Sequence, residues 1–351
     1  MEGIEEQAVA QWLSAHVEGL LAPFAFDLVA GGRSNLTYVV TDAAGRQVVL
    51  RRPPAGHVLP TAHDMGREHR IVSALAPTSV PVPATLGYCP DPSVTGAPFY
   101  VMELVRGHIV RDAQMAEQVL DVASRRRASD SLVDVLAELH GVDVDAVGLG
   151  DLGRREGYIA RQLSRWHGQF DSSQIEGVDR PGAVDQVYEI LSSAIPAQGT
   201  PSIVHGDYRL DNTMLGDDGT VVAVLDWEIC TLGDPLADVG LLLVYWSEPG
   251  DTFSALGLAP TALPGFATRQ ELRARYEDRT GRDLSGIDFY VAFGYWKLAC
   301  ILQGVHARYA AGFGAGDRSG TDVFGSQVHL LADQALTVAG HLSATARTAQ
   351  P

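Results

Sequence analysis

Two short apolar runs, each leading into an acidic loop, constrain this chain more than any other feature. The first, residues 202–205, leads into His205-Gly206-Asp207-Tyr208-Arg209-Leu210-Asp211-Asn212. The second, 221–226, ends in Leu225-Asp226-Trp227-Glu228. Leu215-Gly216-Asp217-Asp218-Gly219 between them reads as a tight turn, so the runs are expected as two strands of one hairpin, with Asp226 ending the second. Buried strands fix the loops that follow them, and chemistry that works by positioning needs fixed carboxylates. Phosphoryl transfer asks for one carboxylate to orient an attacking hydroxyl. It also asks for hard oxygen donors to hold Mg2+ on nucleotide phosphates. Asp207 suits the first role, and Asn212 and Asp226 suit the second.

The rest of the chain divides around that pattern. An amphipathic helix is expected over 4–21. Strands follow at 26–30, 36–41 and 47–51, separated by Gly31-Gly32-Arg33-Ser34-Asn35 and by a turn at 42–45. The spacing predicts a helix over 63–75, stopped by Pro77, Pro81 and Pro83, and a last buried strand over 97–104. From about 111 onward helical periodicity dominates, with Leu132, Val135, Leu136 and Leu139 at i, i+3, i+4, i+7. The expected class is α+β. A small antiparallel-sheet lobe over 1–104 joins a large helical lobe over 111–345 through a hinge near 103–110. A length of 351 residues suits two lobes.

Charge narrows the partners. A net charge of −17 repels phosphate backbones and anionic lipid, so neither nucleic acid nor membrane is expected as a partner. Cys89, Cys230 and Cys300 are odd in number and far apart, which indicates neither a disulfide framework nor a zinc site. No basic-then-apolar leader opens the sequence, and the apolar runs at 239–246 and 289–305 are too short or too interrupted to span a bilayer. A reduced, cytoplasmic protein is expected. Of 26 basic residues one is a lysine, Lys297, so a cationic role elsewhere falls to arginine.

The order of the 205–212 segment, Leu225-Asp226-Trp227-Glu228, and then Gly233-Asp234-Pro235-Leu236-Ala237-Asp238 resembles the aminoglycoside phosphotransferases and choline-kinase-like small-molecule kinases, which are related to protein kinases. No Walker A sequence is present. Val49-Leu50-Arg51-Arg52-Pro53-Pro54 and the 91–103 segment are similar to the kinase-like domains fused to certain acyl-CoA dehydrogenases. The resemblance implies a two-lobed protein-kinase-like fold with ATP and Mg2+ as cofactors. It implies transfer of the γ-phosphoryl group to a hydroxyl of a small molecule, such as a hydroxyacyl-CoA or hydroxy acid. It puts the phosphates on Gly31, Gly32, Arg33, Ser34 and Asn35. Adenine falls on the backbone of Glu103, Leu104 and Val105, with Met102 lining its pocket. Arg51 stands where such kinases carry a lysine, with Glu68 as its partner, and an arginine's forked geometry departs from that pattern. Arg52 is then expected to point outward. Asp238 is implied to accept backbone N–H bonds from the catalytic loop, with His205 packed beneath it.

Acceptor-side candidates are Arg161, Trp166, Trp227, Glu228, Trp246 and Lys297. Asp211 is expected in an exposed turn, and Arg125-Arg126-Arg127 at a solvated helix end. Two other readings stay open at this point. An antibiotic kinase would show an acidic acceptor pocket. A nucleotide-binding module without catalysis would explain the missing phosphate lysine. A metal hydrolase built on His205 and Asp207 lacks a second histidine at ligand spacing. Oligomeric state is not set by the sequence.

Overall fold

The computed structural model describes residues 3–29, 35–54, 64–251, 259–311 and 321–348. The fold is α+β and two-lobed. In the smaller lobe, strands β1 (Ala25–Leu28), β2 (Leu36–Thr41), β3 (Gln47–Arg52), β4 (Thr85–Cys89) and β5 (Phe99–Glu103) form one sheet in the order β1-β2-β3-β5-β4. Every neighbouring pair is antiparallel. Strand alternation gives the sheet two different faces. Val48, Leu50, Phe99 and Val101 pack with Val9 and Leu13 of helix α1 (Glu6–His16). Val49, Tyr100 and Met102 face the other way and pack with Met65 of helix α2 (Met65–Leu75). Asp64 caps α2, accepting from the Arg67 N–H at 3.0 Å.

Three expectations for this lobe change. Strand β4 carried no recognisable sequence signal, because it is a half-buried edge strand interrupted by Gly87. That glycine lies under the Trp12 ring, which a β-carbon would approach to 3.0 Å. Arg52 leaves the cleft face as alternation demands, but it is buried instead of solvated. Its guanidinium donates to the carbonyls of Thr95 at 2.7 Å and Pro53 at 3.0 Å. The helix expected over 4–21 spans only α1.

In the larger lobe, helices α3 (Ala113–Val119), α4 (Val122–Gly141), α5 (Tyr158–Ser172) and α6 (Ala183–Ser193) precede residues 202–212. Strands β6 (Ser202–Val204), β7 (Thr213–Leu215), β8 (Val221–Val224) and β9 (Thr231–Gly233) follow, then α7 (Leu236–Tyr245), α8 (Arg269–Thr280), α9 (Ile287–Ala310) and α10 (Thr321–Thr348). The core centres on α9, whose Phe289, Tyr290, Phe293, Trp296 and Cys300 are all buried. α7 crosses it closely at Gly240, where a β-carbon would lie 2.5 Å from the Tyr290 backbone. The three cysteines are free and buried. Among the described residues no helix is long and apolar enough to cross a membrane.

The two apolar runs are not partners. β6 pairs with β9, and β7 pairs with β8, each pair antiparallel. The turn at 216–220 closes β7 onto β8, leaving 202–204 to find its partner after Asp226. Arg125 is likewise no solvated residue; it is buried and donates to the Pro264 carbonyl at 3.1 Å. Between the lobes, His108 and Leu215 exchange two backbone bonds of 2.7 and 2.9 Å, tying the connector to β7.

Candidate active site

The loop after β6 is held by buried polar groups of its own lobe. Asp238, in the first turn of α7, accepts the N–H of His205 at 2.7 Å and of Gly206 at 2.8 Å. Gly206 has φ +86°, a conformation that favours glycine, and packs against Ile229. His205 is buried, with Nε2 2.9 Å from the Leu225 carbonyl and Nδ1 accepting the Asp207 N–H at 3.3 Å. These partners select the Nε2–H tautomer and occupy both ring nitrogens. A metal bound through His205 would have to break one of them, which removes the hydrolase reading.

Asp207 emerges from this support toward the cleft. Its Oδ2 accepts from Asn212 Nδ2 at 2.8 Å, and its Oδ1 accepts from the Tyr245 hydroxyl at 3.2 Å. Arg209 Nε lies 3.3 Å from Oδ2, and the Arg209 guanidinium stacks on the Tyr245 ring at 4.9 Å. Arg209 also pairs with Asp211 at 3.1 Å, so Asp211 is half-buried in a short helical turn (Leu210–Asn212) and not in an exposed one. Burial opposes the Arg209 charge, but Asp207, Tyr245 and Asp211 outweigh it and raise its pKa. Burial is also the main cause that pushes the Tyr245 hydroxyl well above the usual tyrosine range.

Asn212 joins the two acidic loops. Its side chain holds Asp207 while its carbonyl accepts the Leu225 N–H at 2.9 Å, one residue before Asp226. Asp226 has φ +64°, and no other described non-glycine residue has a positive φ. Such a backbone is strained for aspartate and persists because both flanks are held. Arg51 reaches it from β3, with Nη2 2.9 Å from Asp226 Oδ1 and Nε 3.1 Å from Glu68. Glu68 is 2% exposed, and Tyr100 near it is buried as well. Burial disfavours the Arg51 charge, but Glu68, Asp226 and Glu228 more than compensate and raise its pKa. The arginine fork thus links one carboxylate from each lobe, a geometry that a lysine's single nitrogen does not reproduce.

Next to Glu68, Arg67 donates to the carbonyls of Cys230 at 2.7 Å and Leu152 at 3.0 Å. It ties α2 to the loop that follows Asp226. Arg67, Tyr100, Arg209 and Tyr245 escaped the sequence reading. Arg209 lay inside the quoted motif and could have been found there; the other three carry no local signal.

Asn35 is buried and its Nδ2 lies 3.4 Å from Glu228, so Glu228 faces the small lobe and not the acceptor side. Among the described residues the Asn35 Oδ1 is buried without a hydrogen-bond partner. Gly31, Gly32, Arg33 and Ser34 lie outside the described residues. Met102 and Leu104 share the apolar cluster on the cleft face of the sheet with Val49. Val105 is half-buried in the connector. The Glu103 N–H is spent on the Ala84 carbonyl at 2.8 Å, so it cannot serve a base, and its carboxylate pairs with Arg46 outside the cleft.

The acceptor-side expectations fare differently. Trp227 and Trp246 are core residues, each 1% exposed, with indole N–H groups on the carbonyls of Val224 and Ala267. Arg161 clamps the carbonyls of Arg154 and Glu156 in the loop before α5. Trp166 is buried beside Lys297, whose Nζ lies 5.8 Å from the indole centroid. Lys297 donates to the Gly206 carbonyl at 2.7 Å.

The model of the phosphotransferase enzyme family matches residues 26–286. The chain belongs to that family. It is 36% identical over 304 residues to acyl-CoA dehydrogenase family member 10 of Mus musculus, covering 86% of the chain. The chain spans 28% of the length of that relative. A crystal structure of a candidate aminoglycoside phosphotransferase from Ralstonia eutropha superposes with a TM-score of 0.80 at 34% identity, covering 95% of this chain and 98% of that one. Choline kinase from Cryptosporidium parvum Iowa II shares the fold, with a TM-score of 0.64 at 11% identity and coverage of 95% and 97%.

Proposed function

We propose that this phosphotransferase-family protein moves the γ-phosphoryl group of Mg·ATP to a hydroxyl of a small molecule. The observation that carries the reading is the convergence of Asp207, Asn212 and Asp226 on one cleft, with Arg51 bridging Asp226 and Glu68 across it. Residues 1–104 form the nucleotide lobe in this reading, 103–110 the hinge and 111–345 the acceptor lobe. Met102, Leu104 and Val49 would supply apolar walls for the base, with Val105 and the Glu103 carbonyl as backbone partners.

The donor set fits magnesium. Asn212 gives its amide nitrogen to Asp207, which leaves Oδ1 as a hard oxygen donor, and Asp226 supplies a carboxylate. Bound there, Mg2+ would neutralise phosphate charge. Arg51 would turn its remaining guanidinium N–H groups to phosphate oxygens, and Asn35 would bring its amide N–H to the phosphate side. Asp207 would accept the hydroxyl proton, with Tyr245 and Asn212 fixing the carboxylate's direction and Arg209 offsetting its charge.

The relatives' names include acyl-CoA dehydrogenases, which supports a hydroxyacyl-CoA or hydroxy acid acceptor. An aminoglycoside acceptor is the second reading, supported by the name of the Ralstonia eutropha neighbour. The test is ADP release from Mg·ATP across hydroxyacyl-CoAs, free hydroxy acids and aminoglycosides. Acceptor-dependent release is expected from the acyl series. Asp207→Ala should lower it by about 10²–10⁴-fold while ATP binding persists. Equal loss of binding and turnover would assign Asp207 a structural role instead.

A further inference from the structure

The single lysine of the chain sits behind the catalytic loop. Elsewhere in the sequence every basic residue is an arginine. Lys297 is 5% exposed on α9 and makes no ion pair among the described residues. Its Nζ donates to the Gly206 carbonyl at 2.7 Å and lies over the face of Trp166. An ammonium buried without a contacting carboxylate is costly unless nearby charge and hydrogen bonds offset it. Burial pushes the Lys297 pKa below the lysine range; Asp207 on the loop and Asp238 on α7 pull it back up, and Arg165 on α5 pushes it down again. An arginine there would bring five donors in a rigid plane to an enclosure that offers one carbonyl and an indole face. A lysine is the cation that fits.

The carbonyl it holds belongs to the residue before Asp207. Both N–H groups leading into that peptide are fixed by Asp238, and the N–H after it by His205. Gly206 is the freest residue in the segment, and rotation of the Gly206–Asp207 peptide would swing the Asp207 carboxylate away from Asn212 and Tyr245. Lys297 holds the oxygen that would have to move. We propose that Lys297 is a positioning residue for phosphoryl transfer, fixing the direction of Asp207 through the Gly206 carbonyl. The proposal rests on the reading of Asp207 as the group that receives the hydroxyl proton.

Lys297→Met tests it, with hydrogen exchange of residues 205–212 read beside steady-state kinetics. The variant should exchange about tenfold faster in that loop, with other segments unchanged. Its kcat should fall about 10- to 100-fold at unchanged KM for ATP and acceptor, because misdirected Asp207 costs only the chemical step. Lys297→Arg should stay below wild type in kcat, and it carries the same test if the methionine variant does not fold. Unchanged loop exchange overturns the proposal. A raised acceptor KM at unchanged kcat also overturns it and makes Lys297 a contact for the acceptor's anion. The exchange measurement needs no turnover. A loosened loop in a protein whose wild type releases no acceptor-dependent ADP would therefore uphold the pinning and sink the phosphotransferase reading.

Discussion

Asp207 and Asp226 face one cleft and are supported in opposite ways. The Asp207 loop hangs from groups of its own lobe: Asp238 from α7, Lys297 from α9, and Asn212 and Tyr245 on the carboxylate itself. The Asp226 carboxylate meets Arg51, which comes from the other lobe and is shared with Glu68. One support stays intact however the lobes sit; the other exists only while they are close. The comparison teaches that the proposed proton acceptor is prepared by folding, whereas the proposed metal ligand is prepared by the arrangement of the lobes.

Breaking the intralobe support should have the largest effect. Asp238→Ala leaves two buried N–H groups and His140 without their acceptor and should cost roughly 3 kcal/mol in urea unfolding. Burial by itself would raise the Asp238 pKa, but His140, His205 and the Gly206 N–H overcome it and hold the carboxyl below the usual aspartate range. Its contribution is therefore present above the unfolded pKa of about 3.9 and fades as pH falls through the lower folded value. Asp238→Asn should thus be destabilised at pH 7 and converge toward wild type below about pH 4. A constant difference across that range would show that the charge plays no part.

The interlobe support should respond differently. Arg51→Lys keeps the charge but not the fork. It should weaken Mg·ATP binding about tenfold by calorimetry, the worth of one charge-assisted hydrogen bond, with unfolding stability little changed. Comparable losses in both would erase the distinction between the two supports. The smallest effect should come from α8, away from both loops. There Thr268 and Glu271 form a capping box, and Thr268→Ala should cost about 1 kcal/mol with kcat and KM unaltered.

Much of the candidate site was legible because its residues lie close in sequence. Asp207 and Asn212 share one loop, Asp226 follows an apolar strand, and Arg51 and Val49 fall on one face by alternation. The sheet strands before residue 60 and the helical half were legible for the same reason, since period 2 and period 3.6 are local signals. Strand β4 was not, because an edge strand with a glycine and no clean alternation looks like loop. Trp227 and Trp246 were misplaced because an aromatic residue beside a motif looks the same whether it faces the cleft or the core. Arg52 was misjudged because alternation sets the face a side chain takes, not what other segments later cover it.

The sequence by itself determined the family, the α+β division and the order of the acidic loops, since each is written in neighbouring residues and their periodicity. Tertiary structure alone decided that β6 pairs past Asp226 with β9 and that Arg51 meets Asp226 175 residues away. It also placed the one lysine beneath Gly206, 91 residues distant. Those contacts depend on how helices and strands pack against each other, and packing joins residues whose separation along the chain leaves no local pattern to read.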